Sequence, residues 1–82
     1  MEIEQLRALV AQWAASQPIV TRAHLYGSRV RGSHREDSDL DVAIEITPLP
    51  GDSSAFATWI AEASRLALSL APLLPLPVDL EW

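Results

Sequence analysis

Apolar side chains recur at helical spacing in two segments of the 82-residue chain. The first segment predicts an amphipathic helix over residues 2–16, which Pro18 ends. The second predicts a helix over residues 53–71, with Asp52 or Ser53 as its N-cap and Pro72 at its end. Each helix should pack an apolar stripe on a core, because every third or fourth side chain lies on one face. The first stripe comprises Ile3, Leu6, Val10 and Trp13, and the second comprises Phe56, Trp59, Ile60, Ala63, Ala67 and Leu70.

Three other apolar segments predict strands over residues 19–26, 39–47 and 77–82. The middle strand alternates most clearly, because its even positions are all apolar whereas its odd positions begin with Asp39 and Asp41. Since successive side chains of a strand point to opposite faces, this strand should bury one face and direct both acids to the other. The order α-β-β-α-β predicts a single domain over residues 1–82. We expect a small α/β or α+β sandwich, with a short mixed sheet and helices packed on one face.

Composition limits the environment and partners of such a domain. The chain contains no cysteine and no basic segment followed by an apolar one, so we expect a cytoplasmic location without disulfides. Prolines interrupt the only long apolar segment, and no membrane span is predicted. A domain of 82 residues is expected to be marginally stable alone. A homodimer or a hetero-oligomer would stabilise it.

The charge distribution favours a small anionic ligand over a nucleic-acid duplex. The net charge is −5, which opposes non-specific binding to nucleic acid. The chain has no lysine, and four of its six arginines lie close together in sequence: Arg22, Arg29, Arg31 and Arg35. Positive charge is therefore concentrated around residues 27 and 28, where it would attract an anionic ligand such as a triphosphate.

A glycine–serine pair, Gly27 and Ser28, follows the first predicted strand directly. Glycine lets the backbone approach a ligand closely, and the serine hydroxyl and neighbouring N–H groups can donate to phosphate oxygens. A short helix opening over Val30 to Ser33 would reinforce this with its positive end. The chain lacks the spacing of a P-loop or of a dinucleotide fold, so a different phosphate site is predicted.

Carboxylates supply the second half of the candidate site. Asp39 and Asp41 should lie roughly 6 to 7 Å apart along one strand face. Their oxygens suit Mg²⁺ or Mn²⁺, and such a pair can bridge two ions about 3.5 to 4 Å apart. In the last strand, Asp79 and Glu81 share a face, and either is a candidate for a third acid. The turn or the acids alone would be ordinary surface features, whereas their combination indicates a nucleotide-handling site.

The same residues carry a family resemblance. Gly27-Ser28, ten intervening residues and Asp39-Leu40-Asp41 resemble the signature of the DNA polymerase beta-like nucleotidyltransferase superfamily. The segment from Tyr26 to Gly32 looks like the glycine-serine-arginine-x-arginine-glycine form of its smallest members, the minimal nucleotidyltransferases. The resemblance covers the element order over nearly the whole chain. It implies a small nucleotidyltransferase fold that transfers a nucleoside monophosphate from a nucleoside triphosphate to an acceptor and releases pyrophosphate.

The resemblance also implies a role for each residue of the motif. Asp39 and Asp41 would hold Mg²⁺, in a site of two metals, and Asp79 would complete that site, with Glu81 in reserve. Residues that would bind the nucleotide, ATP or another nucleoside triphosphate, are Gly27, Ser28, Arg29 and Arg31. Relatives usually continue beyond the strand of the third acid. A partner, or further chain, is therefore expected to complete the site.

The identity of the acceptor is implied by the resemblance alone. Small stand-alone proteins of this type resemble antitoxins that adenylylate a tyrosine of a partner toxin of the HEPN class. A transferase acting on a small molecule, similar to aminoglycoside nucleotidyltransferases, is the alternative enzyme, although 82 residues leave little room for an acceptor-binding domain. A catalytically silent module that neutralises its partner by contact is the third interpretation.

Overall fold

A computed structural model, which describes residues 2–35 and 38–82, has a three-stranded mixed sheet with two long helices packed on one face. The helices and strands, in chain order, are α1 (Ile3–Ser16), β1 (Val20–Tyr26), α2 (Ser28–Arg31), β2 (Leu40–Ile46), α3 (Ala55–Leu70) and β3 (Val78–Glu81). A 3₁₀ helix over Ala71–Leu73 follows α3. The central strand β2 pairs antiparallel with β1 and parallel with β3, and α3 provides the crossover that a parallel pair requires.

The strand β2 confirms the alternating pattern. Its even positions form the buried face of the sheet and belong to the core: Leu40, Val42, Ile44 and Ile46. Its odd positions are half-buried or exposed. Each fully buried aliphatic side chain of this kind contributes about 1.5 to 3 kcal/mol, so the core fixes which face the acids occupy. The register of the pairing is fixed with it, because a slip of one residue would turn every side chain to the wrong face.

The first helix also lies as predicted. It begins after Glu2, whose backbone N–H donates to Oε1 of Gln5 at 2.9 Å in a capping box. The buried residues of α1 are Leu6, Val10 and Trp13. The indole N–H of Trp13 donates to the hydroxyl oxygen of Ser69 on α3 at 2.8 Å. This bond joins the two helices that cover the sheet.

The predicted stripe of the second helix is wrong in part. Phe56 and Ile60 are 55% and 66% exposed, and Ala67 is exposed as well. The face that packs on the sheet is rotated, and its fully buried residues are Thr58, Leu66 and Leu70. The hydroxyl of Thr58 accepts from the backbone N–H of Leu49 and donates to Asp52, so a polar side chain is satisfied inside the core.

Two boundaries also differ from the predictions. The N-cap of α3 is Ser54, whose hydroxyl accepts from the N–H of Ala57, because Asp52 is bonded to Thr58 instead. The short helix α2 begins two residues earlier than predicted, and counting it as an element gives the order α-β-α-β-α-β. Within residues 2–35 and 38–82, no helix has the length and apolar character needed to cross a membrane.

Candidate active site

The exposed face of the sheet carries a row of three polar side chains. Tyr26 on β1 is paired in register with Asp41 on β2, and Asp41 is paired with Asp79 on β3. Side chains at paired positions of neighbouring strands lie on the same face, about 5 Å apart at their bases. The register therefore places the carboxylates of Asp41 and Asp79 side by side. Glu81, the alternative third acid, is paired with Ala43 one row further from the turn.

The turn after β1 brings the backbone against this row. Gly27 has φ +83° and ψ −160°, a conformation that is open essentially only to glycine. A methyl group on its Cα would overlap the Asp41 carboxylate, with the Asp41 Cγ only 2.9 Å away. Glycine is required at this position both by the backbone conformation and by the space that Asp41 occupies. The turn and Asp41 therefore lie directly against each other, whereas their common role in a nucleotide site stays a prediction.

The helix α2 continues from this turn. Ser28 is half-buried and is the first helical residue, whereas Arg31, the last, is exposed. The N–H of Arg31 donates to the carbonyl of Gly27 at 3.2 Å, and Gly32 ends the helix in the left-handed region with φ +77°. Ser28 thus follows the turn directly and Arg31 ends the helix, and their roles in binding the nucleotide stay predictions.

Two of the four clustered arginines have partners in the structure that the sequence did not predict. The guanidinium of Arg29 donates from Nε and Nη2 to the backbone carbonyl of Ser38, at 3.0 and 2.8 Å, so it points to the loop before β2. Arg22 is paired in register with Glu45, and the two form an exposed ion pair at 4.0 Å. Spacing in sequence could not reveal either direction. Arg31 and Arg35 are exposed.

Asp39 lies one residue before β2 and is exposed, so it stands at the entrance of the strand that carries Asp41. Among the described residues, no three histidine or acidic side chains converge closely enough to form a ready-made metal cage. Mg²⁺ usually binds through one or two carboxylates together with waters and substrate phosphates, so such a cage is not needed. The donor set of Asp39, Asp41 and Asp79 fits this chemistry.

Tyr26 is a member of the row that sequence reasoning did not single out. It is 37% exposed, and its ring lies 6.4 Å from that of His24. Burial raises the pKa of the Tyr26 phenol above its ordinary 10.0, and the negative charges of Asp41, Asp79 and Glu81 raise it further. The available signal was its position immediately before the turn, at the end of a strand. Because these acids act on it, the pKa of the Tyr26 phenol responds to the negative potential of the site.

Replacement of Asp41 by asparagine should lower the pKa of Tyr26 toward 10.0, because one of the charges that disfavour the phenolate is removed. Burial and the two remaining acids should keep the value above that of a free tyrosine. Tyr26 is the only tyrosine of the chain, so the rise of phenolate absorbance with pH measures it without ambiguity. A Glu45→Gln control should leave the titration unchanged. An unaltered curve for Asp41→Asn would show that the two side chains are not neighbours.

Comparison with models of protein families identifies the family of this chain. A model of the nucleotidyltransferase domain, of the polymerase beta-like type, matches residues 3–80. The chain belongs to the nucleotidyltransferase domain family. Comparison with curated proteins gives no match, and neither does comparison with solved structures.

The match with the nucleotidyltransferase family extends from α1 into β3. It therefore includes the Gly27 turn and both Asp41 and Asp79. The small α+β fold with its three-stranded mixed sheet agrees with a small nucleotidyltransferase fold, as the sequence predicted. Nucleotidyl transfer is the general activity of this domain.

Proposed function

We propose that this nucleotidyltransferase moves AMP from ATP to a protein hydroxyl, most specifically to a tyrosine of a HEPN-type toxin, and so acts as an antitoxin. The observation that carries the catalytic part is the register that pairs Asp41 with Asp79 beside the Gly27 turn. The carboxylates on the open face thereby lie beside the turn that we propose to bind phosphate. The toxin partner and the tyrosine acceptor rest on the resemblance to minimal nucleotidyltransferases.

Asp41 and Asp79, with Asp39 at the strand entrance, would hold Mg²⁺. When bound, the metal would neutralise charge on the phosphates and on the oxygens that attack and leave. The backbone N–H groups of the Gly27 turn and the hydroxyl of Ser28 would orient the β- and γ-phosphates, with Arg31 contributing positive charge. Catalysis then depends on orientation and on charge neutralisation.

The proposed transfer makes one bond and breaks one. The oxygen of the acceptor hydroxyl forms a bond to the α-phosphorus, and the bond from that phosphorus to the bridging oxygen of the β-phosphate breaks. Pyrophosphate leaves with the electron pair of the broken bond. The carboxylate of Asp79 accepts the proton of the attacking hydroxyl, as a general base.

The openness of the site favours a macromolecular acceptor over a small molecule. The residues that flank the carboxylates on this face, His24, Glu45 and Glu81, are exposed. Small-molecule sites usually bury 70 to 90% of their ligand in a concave pocket, whereas the described side chains of this face leave it open. A protein partner would bring its own surface to cover the face.

Incubation with α-labelled ATP, Mg²⁺ and a lysate of the source cell tests the proposal. We expect label on a single protein band, with AMP attached to a tyrosine as shown by mass spectrometry. The band should be lost with Asp79→Asn and retained with the neighbouring Glu81→Gln, because Asp79 is paired with Asp41 whereas Glu81 is paired with Ala43. Label in the small-molecule fraction would favour an aminoglycoside-type transferase. No transfer, together with retained binding to a partner in a pull-down, would favour the silent module.

A further inference from the structure

The side chain of Arg29 is built into the loop that leads to the carboxylates. Within residues 2–35 and 38–82, its guanidinium donates hydrogen bonds from Nε at 3.0 Å and from Nη2 at 2.8 Å to the carbonyl oxygen of Ser38. Both bonds are partly buried and join residues nine positions apart. Together with Ile3 and Leu6 of α1, Arg29 also lines a cavity of about 300 Å³. The arginine therefore extends between the first helix and the loop before β2.

We propose that Arg29 is a positioning residue for the carboxylates, rather than a contact of the triphosphate. The carbonyl of Ser38 belongs to the peptide unit that joins Ser38 to Asp39. Because this unit is planar, holding its oxygen also holds the orientation of the backbone at Asp39. Asp41 follows two residues later on the same strand. This inference rests on the proposed function, since it assigns Arg29 to the metal-binding half of the site.

The entrance of β2 is held from two directions. Arg29 bonds the carbonyl of Ser38, and the backbone N–H of Leu40 donates to the carbonyl of Pro77, just before β3, at 2.9 Å. The hydroxyl of Ser38 also accepts from the N–H of Arg35 at 2.9 Å. Asp39 therefore lies between two anchored residues even though its own side chain is exposed. Of the residues that hold this entrance, Arg29 is the one that lies on α2, directly after the Gly27 turn.

Arginine is suited to this position because its planar fork can direct two N–H groups at one oxygen. A lysine could donate to the same carbonyl, but as a point charge with a more flexible stem. The arrangement couples the two halves of the site, because Arg29 lies one residue after Ser28 and two after Gly27. A displacement of the turn would be transmitted to the segment that carries Asp39 and Asp41.

The test compares Arg29→Gln with Arg29→Lys, Arg31→Gln and the remote control Arg7→Gln, an exposed arginine on α1. Three quantities are measured: amide hydrogen exchange of residues 38–42, Mn²⁺ affinity by electron paramagnetic resonance, and kcat and KM for ATP. We expect Arg29→Gln to speed exchange in this segment and to weaken Mn²⁺ binding by about tenfold, as residues that support metal ligands do. kcat should fall while KM for ATP changes little. Arg29→Lys should restore part of each loss, and Arg7→Gln should change nothing.

A residue that contacts the triphosphate would instead raise KM for ATP and leave hydrogen exchange and Mn²⁺ affinity unchanged. We expect that result for Arg31→Gln. If Arg29→Gln raised KM for ATP while leaving hydrogen exchange and Mn²⁺ affinity at their wild-type values, the positioning role would be overturned. Should Arg29→Gln fail to fold, as judged by circular dichroism, Arg29→Lys is tested by the same criteria. Hydrogen exchange needs no turnover, so this inference can fail or succeed separately from the proposed transferase activity.

Discussion

Asp41→Asn is expected to abolish most nucleotidyl transfer while leaving the fold intact. The substitution removes the negative charge at the centre of the row formed by Tyr26, Asp41 and Asp79. Loss of one group that stabilises charge in a transition state typically lowers kcat by about 10²- to 10³-fold. The asparagine keeps the shape of the side chain and relieves repulsion from neighbouring acids, so the free energy of unfolding should not fall. Pyrophosphate release and urea denaturation measure the two quantities.

Glu45→Gln provides the matched control for this prediction. Glu45 lies on the same strand and the same face, four residues beyond Asp41, and only its exposed ion pair with Arg22 would be lost. Exposed pairs contribute about 0 to 1 kcal/mol, so both activity and stability should stay near wild type. Equal losses in the two variants would show that the acidic character of the face matters and that Asp41 has no specific role.

Gly27→Ala is expected to damage both stability and activity. Alanine must adopt φ +83°, and its methyl group must displace the Asp41 carboxylate that now occupies that space. A residue in so sparsely populated a backbone conformation costs about 1 to 3 kcal/mol. Misplacement of a reacting or ligating group by about 1 Å can lower the rate by about 10²-fold. Thermal or urea unfolding and the rate of pyrophosphate release give the two effects.

Gly51→Ala separates backbone strain from the steric clash. Gly51 has φ +92°, but a methyl group there would meet nothing within 4 Å. We expect a loss of stability of about 1 to 2 kcal/mol from the left-handed backbone and no change in kcat. If Gly27→Ala behaved in the same way as Gly51→Ala, the contact between the turn and Asp41 would not matter for the reaction.

The features that follow from strong local patterns could be predicted from the sequence. The alternation in β2 was sufficient to place Asp41 on the open face, because the even positions are uniformly apolar and only one register buries them. The stripe of α1 was equally clear, and Trp13 lies in the core. The preference for Asp79 came from its sequence context, and the parallel register then placed it opposite Asp41.

What sequence reasoning missed depends on partners that lie outside the helix concerned. The packed face of α3 was misjudged because Thr58 and Ser69 turn inward to hydrogen bonds, whereas the apolar Phe56 and Ile60 turn outward. Phe56 instead meets the ring of Trp82 at 5.7 Å. Hydrophobicity alone cannot foresee which polar groups will find buried partners.

The arginines illustrate the same limit. Their proximity in sequence to the turn suggested a common role in binding phosphate. The structure separates Arg22, which pairs with Glu45, from Arg29, which bonds the carbonyl of Ser38. Long side chains reach several ångströms from their Cα atoms, so their direction is set by tertiary neighbours that spacing does not encode.

The most direct test of the central claim compares ATP labelled at the α-phosphate with ATP labelled at the γ-phosphate. The protein is incubated with Mg²⁺ and a lysate of the source cell, and label is followed in the acceptor and in pyrophosphate. We predict that the α-label enters the acceptor, that the γ-label leaves as pyrophosphate, and that both processes need Asp41 and Asp79. Transfer of the γ-label to an acceptor that is lost with Asp41→Asn and with Asp79→Asn would contradict the assignment of nucleotidyl transfer to this site.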